Sequence, residues 1–304
     1  MQRLTPFRAG TVALALLTGV TVAGTAAGPT QAAPRAPAVS GPVRAAGLEA
    51  DIAALAKAGA GSAGTVGVAA WRLDGKGPRV LVNADAAYPM ASTFKVAVAG
   101  AVLRRVDAGE LKLDQMISID PDRMVESEVI ADRSIHPGVS LSVYNLLELM
   151  LTQSDNTATD YMVEAAGGPD AVTAWVRAQG VEGMRIDGGT DEIIRRFFGI
   201  GPGAFPKAMA EAAKANPHIE DDSLKPNAAF DADPRDTTSP AQMAQLLTRI
   251  FNGQALSADS TKIIIAIMER CRTGVARLRG LMPPATVMAD KTGTIGGTVN
   301  DVWV

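Results

Sequence analysis

A chain of 304 residues with 47% apolar and 20% charged side chains can bury a sizeable core in one domain or two, which excludes a disordered or coiled-coil protein. Its net charge of -3 and pI near 5.5, with no Lys/Arg run interleaved with aromatics, exclude nucleic acid as an expected partner. A lone cysteine, Cys271, rules out an internal disulfide, and His136 and His218 have no metal-ligand spacing, so neither a metal nor another cofactor is expected.

The chain opens with Arg3 and Arg8 ahead of an apolar run from Thr11 to Ala27, followed by Ala, Pro, Thr and Gln. That order reads as a secretory signal peptide over residues 1–33, with cleavage between about Ala27 and Ala36. An Ala/Pro/Gly linker spans 34–46, and no later segment has 18 uninterrupted apolar residues. A secreted or periplasmic protein, off the membrane after cleavage, is expected.

Leu48, Ile52 and Leu55 recur at helical spacing to about Ala58. Thr65 to Arg72 reads as a strand, Asp74-Gly75-Lys76-Gly77 as a turn, and Arg79 to Asn83 as its hairpin partner. From Ser92 to about Phe251 the pattern is mainly helical: Ser92–Ala108, Leu141–Thr152, Thr157–Ala166 and Asp170–Gln179, each but the second closed by glycine. Between Gly199 and Thr238 runs a long excursion punctuated by Pro and Gly, with one Ala/Lys-rich segment of helical character. Strand signals return after about Ala285. Strands at both ends around a helical middle predict an α/β (α+β) fold: an antiparallel sheet flanked by helices, with an all-helical domain inserted. The corresponding boundaries are 47–84 with 266–304 for the sheet domain and 85–265 for the helical domain, including an extended loop over 187–236.

Three motifs carry chemistry. Ser92-x-x-Lys95 puts a hydroxyl and an amine on one helical face, the arrangement a nucleophile needs beside a base. A helix-capping serine fits the same spacing, although a lysine in a first turn opposes the helix dipole. Ser154-Asp155-Asn156 lies in a turn between two helices and reads equally as a loop cluster. Lys291-Thr292-Gly293-Thr294 offers a cation, hydroxyls and an open backbone edge, or simply a polar strand end.

Ser-x-x-Lys, Ser-Asp-Asn and Lys-Thr-Gly in this order form the signature of class A β-lactamases and penicillin-binding proteins. The chain resembles a class A serine β-lactamase, through YPMASTFKV, VLRRVDAGEL, LTQSDNTATDYMVEAAGGPDAVTAW, RID, PRDTTSPAQMAQLL and ADKTGT, over most of Thr65 to Val304. The resemblance implies that Ser92 attacks the lactam carbonyl with Lys95 as proton acceptor, and that Ser154 passes a proton to the leaving nitrogen. It implies further that Asn156 bonds the substrate's side-chain amide and that Lys291, Thr292 and Thr294, beside Gly293, hold its carboxylate. Backbone N–H groups of Ser92 and Thr294 are the implied oxyanion hole. A small-molecule β-lactam substrate and a monomer follow.

The sequence departs from that family in three places. Arg185-Ile186-Asp187 is followed by Thr190 where the family's deacylating glutamate stands, with Gly188 replacing an arginine and Ile194 an asparagine. Glu192 is the nearest replacement base, its plain alternative being a solvated first-turn residue. Asn300 stands near where many members carry a carboxylate-reading arginine, and Arg277 is the candidate substitute. Members also continue past an NDVWV-like strand with a further strand and a long helix; without them the strand near Thr65–Arg72 lacks a neighbour, the helix near Leu48 lacks its packing partner, and low stability is expected. A related esterase or D-Ala-D-Ala peptidase, and a covalent binder that stays acylated, are the competing readings.

Overall fold

A computed structural model describes residues 45–304 apart from positions 62, 63, 128 and 135. The expected signal peptide, and the linker up to position 44, lie outside the described residues. The chain begins with α1 (Ala45–Ala60), the hairpin β1 (Val68–Ala70) and β2 (Val80–Val82), and β3 (Tyr88–Pro89). A 3₁₀ turn over Ala91–Phe94 leads into α2 (Lys95–Asp107). Then come β4 (Met116–Ser118), α3 (Ile130–Arg133) and β5 (Ser140–Ser142). Three helices follow: α4 (Val143–Thr152), α5 (Asn156–Ala165) and α6 (Pro169–Ala178).

The excursion is less irregular than its Pro and Gly content suggests. It is entered by α7 (Thr190–Phe198) and holds α8 (Phe205–Ala215), α9 (Ile219–Asp222) and α10 (Ala228–Asp231) before β6 (Thr237–Thr238). The chain continues through α11 (Pro240–Phe251), α12 (Ala258–Glu269) and α13 (Leu278–Leu281) to β7 (Asp290–Ile295) and β8 (Thr298–Trp303).

The core is organised around α2, where every residue from Lys95 to Leu103 is buried. A helix apolar on all sides must be surrounded, and α4, α5, α6 and α12 all pack on it. Its small residues set the approach distance: a Cβ on Gly100 would fall 2.0 Å from the Trp175 ring of α6. Deleting a buried aliphatic side chain here costs roughly 2–5 kcal/mol, because the lining cannot collapse fully.

The fold is α+β as expected, with one difference in its sheet. Among the described residues the strands form antiparallel pairs only: β1–β2, β3–β6, β4–β5 and β7–β8. The hairpin at the start and the hairpin at the end therefore do not join in one ladder, since no strand lies hydrogen-bonded between them. Both instead lean on α11. In α1 no described side chain is fully buried, and Leu55 is 72% exposed.

Candidate active site

The segment entering Ser92 is clamped from two sides. β3 pairs with β6, Met90 N donates to Asp236 O at 2.9 Å, and Asn300 Nδ2 donates to Pro89 O and Met90 O at 2.8 and 2.9 Å. Asn300, near where an arginine is expected, thus ties down the backbone that leads into Ser92. Ala91 has φ 45°, a left-handed conformation that non-glycine residues adopt at a cost of about 1–3 kcal/mol, and such strain gathers at functional sites. Ser92 then lies inside the 3₁₀ turn rather than at a helix start, and neither Met90 nor Phe94, the capping positions, makes a side-chain cap. The capping alternative for Ser92 falls away.

Lys95 opens α2 and is 0% exposed. Its Nζ donates to Ser154 O at 2.7 Å, Asn156 Oδ1 at 2.9 Å and Ser154 Oγ at 3.2 Å. Lys291, also 0% exposed, reaches the same hydroxyl from β7 at 3.0 Å and its own strand's Thr292 O at 2.7 Å. Two buried amines around one oxygen disfavour ionisation. Burial first, and then the Lys291 charge, hold Lys95 well below the usual lysine range, against the pull of Asp155 and Asp160. Burial likewise brings Lys291 down to about 8, with Cys271 and Asp290 opposing. In its neutral form Lys95 donates to only two of these three acceptors, the closer Ser154 O and Asn156 Oδ1, and keeps a lone pair for a proton.

Ser154 also has a left-handed backbone, φ 60°. The turn is locked by Asp155, 0% exposed, which caps α5 through Ala158 N at 2.8 Å and takes Ser127 Oγ at 2.9 Å and Ile130 N at 2.8 Å. Asn156 completes the bridge, donating from Nδ2 to Glu126 O at 2.9 Å.

β7 lies against the 3₁₀ turn because position 293 is glycine. A Cβ there would stand 2.8 Å from Met90 O, 2.9 Å from Ser92 N and 3.0 Å from Thr93 N. Thr292 Oγ1 is tied to Thr273 Oγ1 at 2.6 Å, and Thr294 Oγ1 accepts from Arg277 Nη2 at 2.6 Å. Arg277 Nη1 also donates to Asn300 O at 2.8 Å, so this guanidinium sits beside the exposed Thr294. Arg279 is instead tied to Asp290 beneath the strand.

The structure brings Lys95, Ser154, Asn156 and Lys291 into one hydrogen-bonded cluster and places Gly293 against Ser92. Glu192 is not drawn into it. Its side chain folds back over Gly188 and lines a separate cavity of about 570 Å³ with Arg123, Asp160 and Glu164. Burial, with Asp191 and Asp236 nearby, pushes its carboxyl up. Position 160 was not singled out by its motif context. It lies one turn after Asn156 on α5, and its carboxylate accepts Thr190 N and Asp191 N.

Residues 47–304 match the β-lactamase enzyme family. The chain belongs to that family, as a class A member. It is 31% identical over 227 residues to the β-lactamases CTX-M-97 and Toho-1 of Escherichia coli, covering 74% of this chain and 66% of each relative, and so spans about two thirds of their length. Among solved structures, an ancestral class A β-lactamase, GNCA, superposes with TM-score 0.67 at 33% identity, covering 84% of both chains. A β-lactamase from Xanthomonas campestris gives 0.67 at 31% identity over 86% of this chain and 84% of that one. Class A membership accounts for the order of the three motifs along this chain.

Proposed function

We propose that this β-lactamase-family chain hydrolyses β-lactams through an acyl-enzyme on Ser92. The observation that carries the reading is the convergence of two buried amines, Lys95 and Lys291, on Ser154 Oγ at 3.2 and 3.0 Å, beside the turn that holds Ser92. Lys95, kept neutral by burial, accepts the Ser92 proton as Oγ adds to the lactam carbonyl. Ser154 passes a proton to the lactam nitrogen as the ring C–N bond breaks and is reprotonated by the Lys95 ammonium at 3.2 Å, so both groups end as they began. Backbone N–H groups of Ser92 and Thr294 receive the developing oxyanion, a contribution of about 3–4 kcal/mol per donor in other enzymes. Lys291, Thr292, Thr294 and Arg277 face the substrate carboxylate.

The relatives named above support a β-lactam as substrate. Arg3 and Arg8 before an apolar run support export, and no helix among the described residues is long and apolar enough to cross a membrane. A second reading, a covalent β-lactam binder, is favoured by one observation only: Thr190 stands where the family's glutamate does.

A chromogenic cephalosporin followed by colour and by intact mass separates the two. Repeated turnover with a transient adduct supports the hydrolase; one equivalent of colour and a lasting adduct supports the binder. Ser92→Ala is expected to abolish both adduct and colour, and an adduct surviving in that variant removes Ser92 as nucleophile.

A further inference from the structure

The turn that presents Ser92 does not hold its shape unaided. Ala91 is buried and has φ 45°, a conformation that a non-glycine residue keeps only where its surroundings impose it. A peptide group is planar, so whatever grips Met90 O fixes the plane from which that φ is measured. From within the turn, Met90 O accepts Thr93 N at 3.1 Å and Thr93 Oγ1 at 2.7 Å. From β8 it accepts Asn300 Nδ2 at 2.9 Å, and the same nitrogen donates to Pro89 O at 2.8 Å.

Asn300 reaches those carbonyls across the place of a missing side chain. It stands directly opposite Gly293 in the β7–β8 ladder, and opposed residues of an antiparallel pair face the same side of the sheet. At position 293 a Cβ would lie 2.8 Å from Met90 O and 2.9 Å from Ser92 N. The glycine lets the sheet approach the turn, and the carboxamide beside it grips the backbone that is approached. That nitrogen carries two N–H bonds, one for each carbonyl, which leaves none for a substrate carboxylate. Arg277 Nη1 is bonded to the backbone O of Asn300, at 2.8 Å, so a change of side chain at 300 leaves that contact in place.

We infer that Asn300 is a positioning residue for acylation: by holding Pro89 O and Met90 O it keeps the Ser92 N–H aimed at the oxyanion that forms on the lactam carbonyl. The inference rests on the acyl-enzyme reading above. Asn300 acts through the backbone of 89–92 and touches no substrate atom. An oxyanion donor counts only while it points to where charge develops, so a turn that drifts loses transition-state stabilisation and keeps ground-state binding.

The test removes both donors, as Asn300→Ala, and separates binding from chemistry. In stopped-flow mixing with a chromogenic cephalosporin, the acylation rate constant is expected to fall about tenfold or more, with the dissociation constant of the non-covalent complex within about twofold of the parent's. Phenylboronic acid is the second probe, because it carries no carboxylate. Its boron bonds Ser92 Oγ as Lys95 takes the hydroxyl proton, giving a tetrahedral anion, and its affinity should fall alongside the acylation rate. Ala91→Gly with and without Asn300→Ala repeats the comparison in a turn whose left-handed residue is unstrained, with losses of the same sign expected. That pair covers the case in which Asn300→Ala alone does not fold. A raised dissociation constant for the cephalosporin with unchanged affinity for the boronate makes Asn300 a carboxylate contact and overturns the proposal. A lower thermal midpoint with acylation and boronate affinity unchanged per folded molecule leaves it a packing residue and overturns it as well. A parent that is never acylated removes the acyl-enzyme reading itself, and the proposal with it.

Discussion

A methyl group at position 293 has no room. The atoms it meets, Met90 O, Ser92 N and Thr93 N, are all backbone and belong to the turn that presents Ser92. Gly293→Ala should therefore cost about 1–3 kcal/mol in overpacking, read as a lower denaturant midpoint. It should also slow acylation roughly tenfold or more, because displacing one oxyanion donor is worth about that much or greater. Lys291 offers a second residue-scale prediction. Its amine ionises at about 8, so it is charged below that pH and neutral above it. Acylation by an anionic β-lactam should fall as pH rises through about 8, while an ester-masked analogue should show a weaker alkaline decline. Identical alkaline limbs for the two would remove Lys291 from carboxylate binding.

At the scale of elements, the excursion is held shut by one acid. Asp236 is 3% exposed, has φ 53°, accepts Asp187 N at 2.8 Å and Gly188 N at 3.2 Å, and pairs with Arg196 of α7. Arg196 reaches Asp233 as well, at 3.5 Å. Asp236→Ala leaves that guanidinium without its closest anion and should cost on the order of 3–5 kcal/mol. Limited proteolysis should then cut between positions 199 and 236 well before the core; a cleavage rate equal to the parent's would contradict the clamp. Much of this architecture was legible beforehand, and the reasons are local. Helices α2, α4, α5 and α6 carry long apolar runs ended by Gly or a polar turn, and β7 and β8 carry the Lys-Thr-Gly strand and a Gly-Gly turn. Pairs such as β3–β6 are two residues long and have no alternation to read, while α9 and α10 are too short for a helical period. Ser92, Lys95, Ser154 and Lys291 announced themselves by motif. Asp160 did not, because its hold on the start of α7 depends on a contact with Thr190 thirty residues away.

Across the whole molecule, the buried ionisable groups shape the stability profile. Asp160 ionises at about 7 when folded against an ordinary 3.8, so the folded state holds a proton that the unfolded chain has released. Stability from this group therefore falls as pH rises from about 4 to about 7. Lys291 acts oppositely: its folded value of about 8 lies below the ordinary 10.5, the unfolded chain binds more protons between them, and stability rises over that window. Thermal midpoints should dip between about pH 7 and 8, and the midpoint of Asp160→Asn relative to the parent, lowered at every pH by the lost acceptor for one backbone N–H, should be lowest near pH 4 and rise toward pH 7. A relative midpoint that rises on acidification would reverse the assignment. The account stands most directly on one measurement, the intact mass and colour of the protein during exposure to a chromogenic cephalosporin, beside the Ser92→Ala variant. Many turnovers per protein with a transient adduct of one opened lactam, both lost in the variant, is the predicted result; colour turnover in Ser92→Ala at the parent's rate would contradict it.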